Sequence, residues 1–371
     1  MAQDDKNKMY RRLHEVTFAS GKQKPTGIPR RTFLAAGLGA ASFLVTSCGG
    51  KQIVEHRLQK ANDIQRARKR QSPSSVAIIP CASYEDDPLP DLKKYAKLLK
   101  FPDLTGKTVL LKPNMVEIRP GHPITTNPQA LKAAFLLMDY LGAKEIIVGE
   151  GPGHMRDTEF LLDASGLGAM IKELGCKFVD LNLDELEKLE LTESFSGLKQ
   201  FYLPRTIVKA DVVMSVPKLK THHWVGMTAS MKNFFGAVPG RKYGWPKNLL
   251  HIRGIPNCII DLQHMIKPQF ALVDAVVAME GDGPINGKAK EMGLYILGDD
   301  LAAVDATCAR LIGYNPNDLE YIKLAGDVVG NIASDQITVI GSPIDKVKKQ
   351  FDRPITFKNK ALLAQSDNQA S

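Results

Sequence analysis

Cysteine is scarce in this sequence, and the few cysteines are scattered. The five are Cys48, Cys81, Cys176, Cys258 and Cys308, and none belongs to a C-x-x-C pair or to a metal-type spacing. A disulfide framework and an iron–sulfur cluster are therefore not expected. Cys176 and Cys308 lie among periodic apolar residues, which predicts small core residues.

The common catalytic and nucleotide-binding signatures are also missing. There is no Gly-x-Ser-x-Gly, no His-Glu-x-x-His and no cysteine-nucleophile motif. A glycine-rich stretch at Gly149–His154 matches neither the Walker nor the dinucleotide fingerprint. Such a stretch fits either a tight turn between a strand and a helix or an anion site built from backbone N–H groups. The motifs therefore name no reaction.

A net positive charge is lacking over most of the chain. The formal net charge is +9, but residues 1–50 hold eight Lys/Arg against three Asp/Glu, and residues 51–70 hold seven against two. The remaining residues are close to neutral overall. A nucleic-acid-binding surface on the folded part is therefore not expected.

The first 75 residues have the composition of an export signal and a tether. Arg30-Arg31 precede a weakly apolar run rich in Ala and Gly, which is typical of a twin-arginine signal at residues 1–47. Small residues before Cys48 resemble a lipobox, so Cys48 is the predicted lipidation site. Ordinary cleavage or an uncleaved anchor stays open. Residues 48–75 are then predicted to form a basic tether. The expected partners of the protein are the twin-arginine translocase and the membrane, and its expected location is the periplasm or the membrane-anchored cell envelope.

Strands and helices alternate along the rest of the chain. This pattern predicts an α/β domain over residues 76–345, with a mostly parallel sheet covered by helices on both faces. One irregular insertion is expected near residues 238–256, and residues 346–371 are expected to form a C-terminal tail.

The segment Ala210–His251 carries much of the unusual chemistry. A buried strand is predicted over Val212–Val216, followed by a polar loop that contains Lys218 to His223. A helix is predicted from the four-residue spacing of Met227, Met231 and Phe235. A solvated basic loop is the alternative interpretation of the polar part.

Polar clusters follow several predicted strands. Parallel strands place their carboxyl ends at one edge of a sheet, where open α/β folds bind ligands. We therefore expect a crevice for a small anionic ligand, in which lysines face Glu150 and other carboxylates. The alternative is that these charges form a structural network of buried ion pairs. The candidate catalytic residues are Lys112, Asn114, Lys218, Lys220, Lys232, Asn233 and Glu280.

A divalent cation is a further possibility at this edge. Its candidate ligands are His222, Asp274 and Asp282, although the carboxylates could instead neutralise the lysines. No other cofactor is indicated.

Four ordered segments resemble one family. They are VLLKPNMV from Val109, PKLKTH with MKNFFGAVPGRK from Pro217, VDAVVAMEGDGP from Val273, and ILGDDLAAVDATCARLIGY from Ile296. Together they resemble the domain-of-unknown-function 362 family over residues 75–340. Many members also carry a ferredoxin-like cysteine segment, which this chain lacks, and the resemblance implies no activity.

Two functions of different classes follow. The first is an exported enzyme that acts on a small anionic substrate, with or without a divalent cation. The second is a non-catalytic binding or cofactor-carrier protein of the cell envelope that uses the same crevice.

Overall fold

The structure is a computed structural model that describes residues 70–153 and 155–357. The predicted twin-arginine signal, Cys48, most of the tether and His154 lie outside the described residues. Within the described ranges, no helix is long and apolar enough to cross a membrane.

Twelve strands are described, ten of them in one sheet. In chain order they are β1 (Ser74–Pro80), β2 (Thr108–Pro113), β3 (Glu145–Glu150), β4 (Lys177–Asp180), β5 (Leu186–Glu190), β6 (Gln200–Pro204), β7 (Val212–Val216), β8 (Lys218–His222), β9 (Gly226–Thr228), β10 (Phe270–Glu280), β11 (Lys288–Gly298) and β12 (Ile337–Gly341).

The large sheet is mostly parallel, as the sequence predicted. Its order is β12-β1-β11-β10-β7-β2-β3-β4, with β8 and β9 attached beside β10. Only the pairs of β11 with β1 and β10, and of β8 with β9, are antiparallel. Strands β2, β3, β7 and β10 therefore point the same way, and their carboxyl ends meet at one edge. Strands β5 and β6 form a separate antiparallel pair outside this sheet.

Helices cover both faces of this sheet. The described α-helices are α1 (Leu89–Leu98), α2 (Pro128–Tyr140), α3 (Thr158–Ser165), α4 (Leu167–Glu173), α5 (Arg205–Lys209), α6 (Gly240–Tyr243), α7 (Asn248–Ile252), α8 (Ile255–Ile266), α9 (Leu301–Leu311), α10 (Glu320–Val328) and α11 (Ile344–Val347). Leu92 of α1 and Leu131 of α2 pack in the core on one face, while Ile259 of α8 and Val304 of α9 pack in the core on the other. Burial of apolar side chains on both faces stabilises this three-layer arrangement.

Side-chain caps fix where the main helices start. Asn127 accepts a hydrogen bond from Gln129 N, and Pro128 takes the first position of α2. Asp300 caps α9 through Ala302 N and Ala303 N. Each cap satisfies amide groups that have no partner inside the helix.

The polar segment after Pro217 differs from the prediction. It is strand β8, not a loop, and every residue in Lys218–His222 is buried. The carbonyl of Pro217 accepts from Asp274 N at 2.8 Å, so the chain stays alongside β10 after β7 ends. The predicted helix through Met227 and Phe235 is also wrong. Strand β9 occupies its beginning, and a 3₁₀ helix, Lys232–Ala237, follows.

The ends of the described domain extend beyond the predicted limits. Arg70, within the predicted tether, forms an ion pair with Asp299 at 3.1 Å. Phe351, within the predicted tail, is buried in the core. The predicted insertion near 238–256 contains α6 and α7. Of the cysteines, Cys308 is fully buried as predicted, whereas Cys176 is only half-buried.

Candidate functional site

A cavity of about 170 Å³ opens at the carboxyl ends of β2 and β3. Its walls come from the β8–β9 hairpin, the 3₁₀ helix Lys232–Ala237 and the segment around α7. A single water needs about 10–15 Å³ of such space, so the cavity has room for a small molecule. Its polar lining residues are Asn114, Glu150, Lys220, His222, His223, Thr228, Lys232, Asn233, Lys247 and His251.

A buried ion pair lies beneath the cavity. Lys112 Nζ is 2.6 Å from Glu150 Oε2, and both side chains are almost fully excluded from solvent. Burial lowers the pKa of Lys112, and the Glu150 carboxylate opposes that effect. Gly236 lies against this pair, because a Cβ there would collide with the Glu150 carboxylate and with Lys112 Nζ.

Two asparagines hold the strand ends around this pair. Asn233 Nδ2 donates to Lys112 O at 2.8 Å and to Ser215 Oγ at 3.1 Å, which fixes Asn233 Oδ1 as an acceptor. Asn114 Nδ2 therefore donates to Asn233 Oδ1 at 3.2 Å. Asn114 Oδ1 has no hydrogen-bond partner in the described chain although it is buried. Since buried polar groups are nearly always satisfied, this acceptor at the cavity is available to a ligand.

Lys218 and Asp274, two predicted site residues, form a second buried pair at 2.5 Å and do not line the cavity. Tyr84 Oη donates to Asp274 Oδ1 and accepts from Lys218 Nζ, both at 2.7 Å. Burial lowers the pKa of Lys218, against the opposing effect of Asp274. The contacts of Lys112 and Lys218 therefore fit the alternative interpretation, a structural network of buried ion pairs.

Two predicted carboxylates also lie away from the cavity. Glu280 forms an ion pair with Lys290 at 3.1 Å and accepts from Asp352 N. Asp282 accepts from Ile355 N at 2.9 Å. Backbone amides of the segment after Lys349 donate to both of these carboxylates, a contact that the sequence did not predict.

Three lysines at the cavity have no carboxylate partner in the described chain. They are Lys220, Lys232 and Lys247. Lys220 Nζ donates to Ile124 O at 2.7 Å, and Lys247 Nζ donates to Phe235 O at 2.6 Å. The two paired lysines above are neutralised by their carboxylates, so these three are the lysines whose positive charge, when they are protonated, has no carboxylate against it.

Burial and mutual repulsion weaken the protonation of these three lysines. Burial, then the nearby ammonium of Lys232, lowers the pKa of Lys220 well below its usual value. Burial, with Lys112 as a second cause, lowers the pKa of Lys232 to about 7. Burial also lowers the pKa of Lys247 to about 7, although Glu150 opposes the shift. A bound anion would oppose these effects on the lysines that contact it, because it stabilises the charged form.

Three histidines and a tryptophan surround the mouth of the cavity. Trp224 is 52% exposed. Its ring packs edge-to-face with the rings of His223 and His251, at centroid distances of 4.5 and 4.9 Å. His222 Nδ1 accepts from Trp224 N at 3.1 Å, so the proton of the neutral ring is on Nε2. Burial, then Lys232, lowers the pKa of His222 well below its usual value.

The predicted metal ligands are not grouped together. Asp274 is engaged by Lys218 and Tyr84, and Asp282 by a backbone amide, while His222 alone lines the cavity. Among the described residues, no group of three or more His, Cys, Asp or Glu side chains is arranged to hold a metal ion.

Lys247 is the cavity residue that sequence reasoning missed. It lies in the predicted insertion, with a left-handed backbone at φ 70°, and its side chain is buried. The local sequence gives a weak signal, a lysine that follows Trp245-Pro246 and precedes Asn248 and two leucines in WPKNLLH. Of the predicted catalytic residues, Asn114, Lys220, Lys232 and Asn233 line the cavity and Lys112 supports it from below, whereas Lys218 and Glu280 lie elsewhere.

The chain is similar to one curated protein and to several solved structures. The curated protein is the thylakoid-associated protein sll1697 of Synechocystis sp., 28% identical over 218 residues, which cover 57% of this chain and 64% of the relative. The matched region thus spans less than two thirds of that relative.

Two solved structures have low similarity to this chain. The lactate racemase apoprotein from Thermoanaerobacterium thermosaccharolyticum has a TM-score of 0.35 and 17% identity, and the match covers 61% of this chain and 55% of that chain. A protein from Thermotoga maritima has a TM-score of 0.34 and 14% identity, with 61% and 58% covered. Similarity at this level carries no information on activity.

The family assignment rests on a match to the family model over more than half of the chain. The matched region, residues 109–310, runs from β2 through α9 and includes every lysine of the cavity. The chain belongs to the family described as Domain of unknown function (DUF362).

Proposed function

We propose that this protein binds a small anion in the cavity at the carboxyl ends of β2 and β3. The observation that carries the proposal is the set of three lysines, Lys220, Lys232 and Lys247, which line one cavity without a carboxylate partner in the described chain. Bringing three ammonium groups together costs free energy unless a negative charge joins them. A phosphate or carboxylate group supplies that charge.

The cavity favours a compact ligand over a polymer. Its volume of about 170 Å³ fits a small molecule, and the near-neutral charge of residues 71–371 offers no extended track for a polyanion. Lysine ammonium groups suit phosphate and carboxylate oxygens as point charges. Asn114 Oδ1 adds an acceptor for a hydroxyl or amine group of the same ligand.

Isothermal titration calorimetry on the full chain tests the proposal. The probes are inorganic phosphate, pyrophosphate and a panel of small mono- and dicarboxylates. Each charge-assisted contact contributes roughly 1.5–3 kcal/mol, so Lys220→Met should weaken binding by about ten- to a hundredfold.

A matched control is Lys290→Met, because Lys290 pairs with Glu280 away from the cavity. This variant should bind the same probe as the wild type does. Equal loss in both variants, or no binding of any probe to the wild type, would contradict the proposal.

The same proposal includes export by the twin-arginine route, supported by Arg30-Arg31 ahead of a weakly apolar run. Replacing both arginines by lysine should leave the precursor in the cytoplasm, and cell fractionation measures this. Attachment to the membrane is supported by Cys48 after small residues. Cys48→Ala should abolish acyl labelling and release the protein, whereas unchanged membrane retention would contradict lipidation.

A further inference from the structure

Lys232 differs from the other two lysines of the cavity in its contacts. Lys220 and Lys247 each donate to backbone carbonyls, which hold their amino groups in place. Lys232 Nζ has no hydrogen-bond acceptor in the described chain, and it lies over the ring of Phe235 at 4.2 Å from the centroid. Its side chain is only partly buried and lines the cavity. Lys232 therefore lines the cavity without a hydrogen bond in the described chain that would hold its amino group.

The surroundings favour the amine form of Lys232. Burial, then the Lys112 ammonium, holds its pKa at about 7. The amine form of Lys232 is therefore far more populated at neutral pH than that of an ordinary lysine, whose pKa is about 10.4. An unprotonated lysine in such a site is a nucleophile toward carbonyl groups.

We propose that Lys232 Nζ condenses with the carbonyl group of a small anionic aldehyde or oxo acid and forms an imine. The inference rests on the proposed function, because Lys220 and Lys247 would hold the phosphate or carboxylate of that compound. It adds the chemical class of the ligand and assigns a covalent step to one residue.

The step balances without an oxidant or a reductant. The Nζ lone pair attacks the carbonyl carbon, and the carbonyl oxygen takes up a proton, which gives a carbinolamine. The C–O bond then breaks while nitrogen forms the C=N bond. The two amine protons and the carbonyl oxygen leave as water. His222, whose neutral ring carries its proton on Nε2, offers a hydrogen bond to that oxygen from the same cavity.

Borohydride trapping on the full chain tests this assignment. The probe is pyridoxal 5′-phosphate, an aldehyde with a phosphate group, followed by sodium borohydride and peptide mass spectrometry. Lys232 should be the main labelled residue, at least about tenfold ahead of exposed lysines such as Lys242, because its amine fraction is so much larger. Inorganic phosphate should compete with labelling, and pyridoxal, which lacks the phosphate, should label weakly.

Lys232→Arg is the decisive variant, because it keeps a positive charge but cannot form an imine. It should lose the label while retaining the wild-type melting temperature and measurable phosphate binding by calorimetry. The control Lys242→Met should label as the wild type does. A label on Lys220, on Lys247 or spread over exposed lysines would refute the inference. Phosphate binding without any label on Lys232 would refute it while the proposed function stands, and absence of both would refute both.

Discussion

The ion pair between Lys112 and Glu150 gives the sharpest test of how this site is built. Its atoms are 2.6 Å apart, and the two side chains are 0% and 2% exposed. Glu150→Gln keeps the shape and can still accept from Gly151 N, but it leaves Lys112 buried without a countercharge. Removing one partner of a buried pair costs about 3–5 kcal/mol of the free energy of unfolding. We expect a loss of this size at neutral pH.

Urea denaturation measures the loss. With a slope of about 3 kcal/mol per molar urea, the midpoint should fall by roughly 1–1.7 M. The matched control is Glu190→Gln, because the Lys188–Glu190 pair has a similar distance of 2.8 Å but lies at 44% and 63% exposure. Solvent screens that pair, so we expect no measurable change there.

The pH dependence of the loss gives a second check. The folded-state pKa of Lys112 lies below its unfolded value. Between these two pKa values the native state binds fewer protons than the unfolded state, so the free energy of unfolding rises with pH there. Removal of Glu150 lowers that pKa further. The difference between Glu150→Gln and the wild type should therefore shrink as the pH is raised, because less of Lys112 is charged in the folded state of either protein. A midpoint shift no larger than that of Glu190→Gln would refute the reasoning.

Three further predictions concern the same site. Gly236→Ala should destabilise the fold and weaken phosphate binding, because its Cβ would displace the Lys112–Glu150 pair; unchanged melts and unchanged calorimetry would contradict this. Apolar replacement of a buried ion pair is often neutral for stability. The double variant Lys112→Met with Glu150→Leu should therefore recover much of the stability lost in Glu150→Gln, and a urea midpoint no higher than that of Glu150→Gln would contradict this. Affinity for a small monocarboxylate, which stays ionised across pH 6–8, should fall as the pH rises through about 7, because Lys232 and Lys247 lose their protons there. The stability of the unliganded protein should rise from pH 7 upward, because both lysines have folded-state pKa values below their unfolded ones. Carboxylate affinity that is flat across pH 6–8 would contradict the assignment.

Local patterns in the sequence predicted the fold class and its alternation of strands and helices. An apolar run predicted the buried strand Val212–Val216, and Pro128 and Asp300 are residue types that are common at helix starts. These signals are reliable because hydrophobic periodicity and capping act within a few residues of the chain. The placement of Lys112 and Asn114 at a common sheet edge follows from the direction that parallel strands share.

Tertiary structure alone decided which charges pair and which remain unpaired. Lys218 and Lys220 are two residues apart on β8, so the alternation of a strand predicts that their side chains share one face, yet only Lys218 meets a carboxylate. That difference depends on where β10 places Asp274 beside Lys218, across more than fifty residues of sequence. Lys247 likewise enters the cavity only because the α6–α7 segment folds over it. Long-range packing sets these distances, so local sequence patterns cannot predict them.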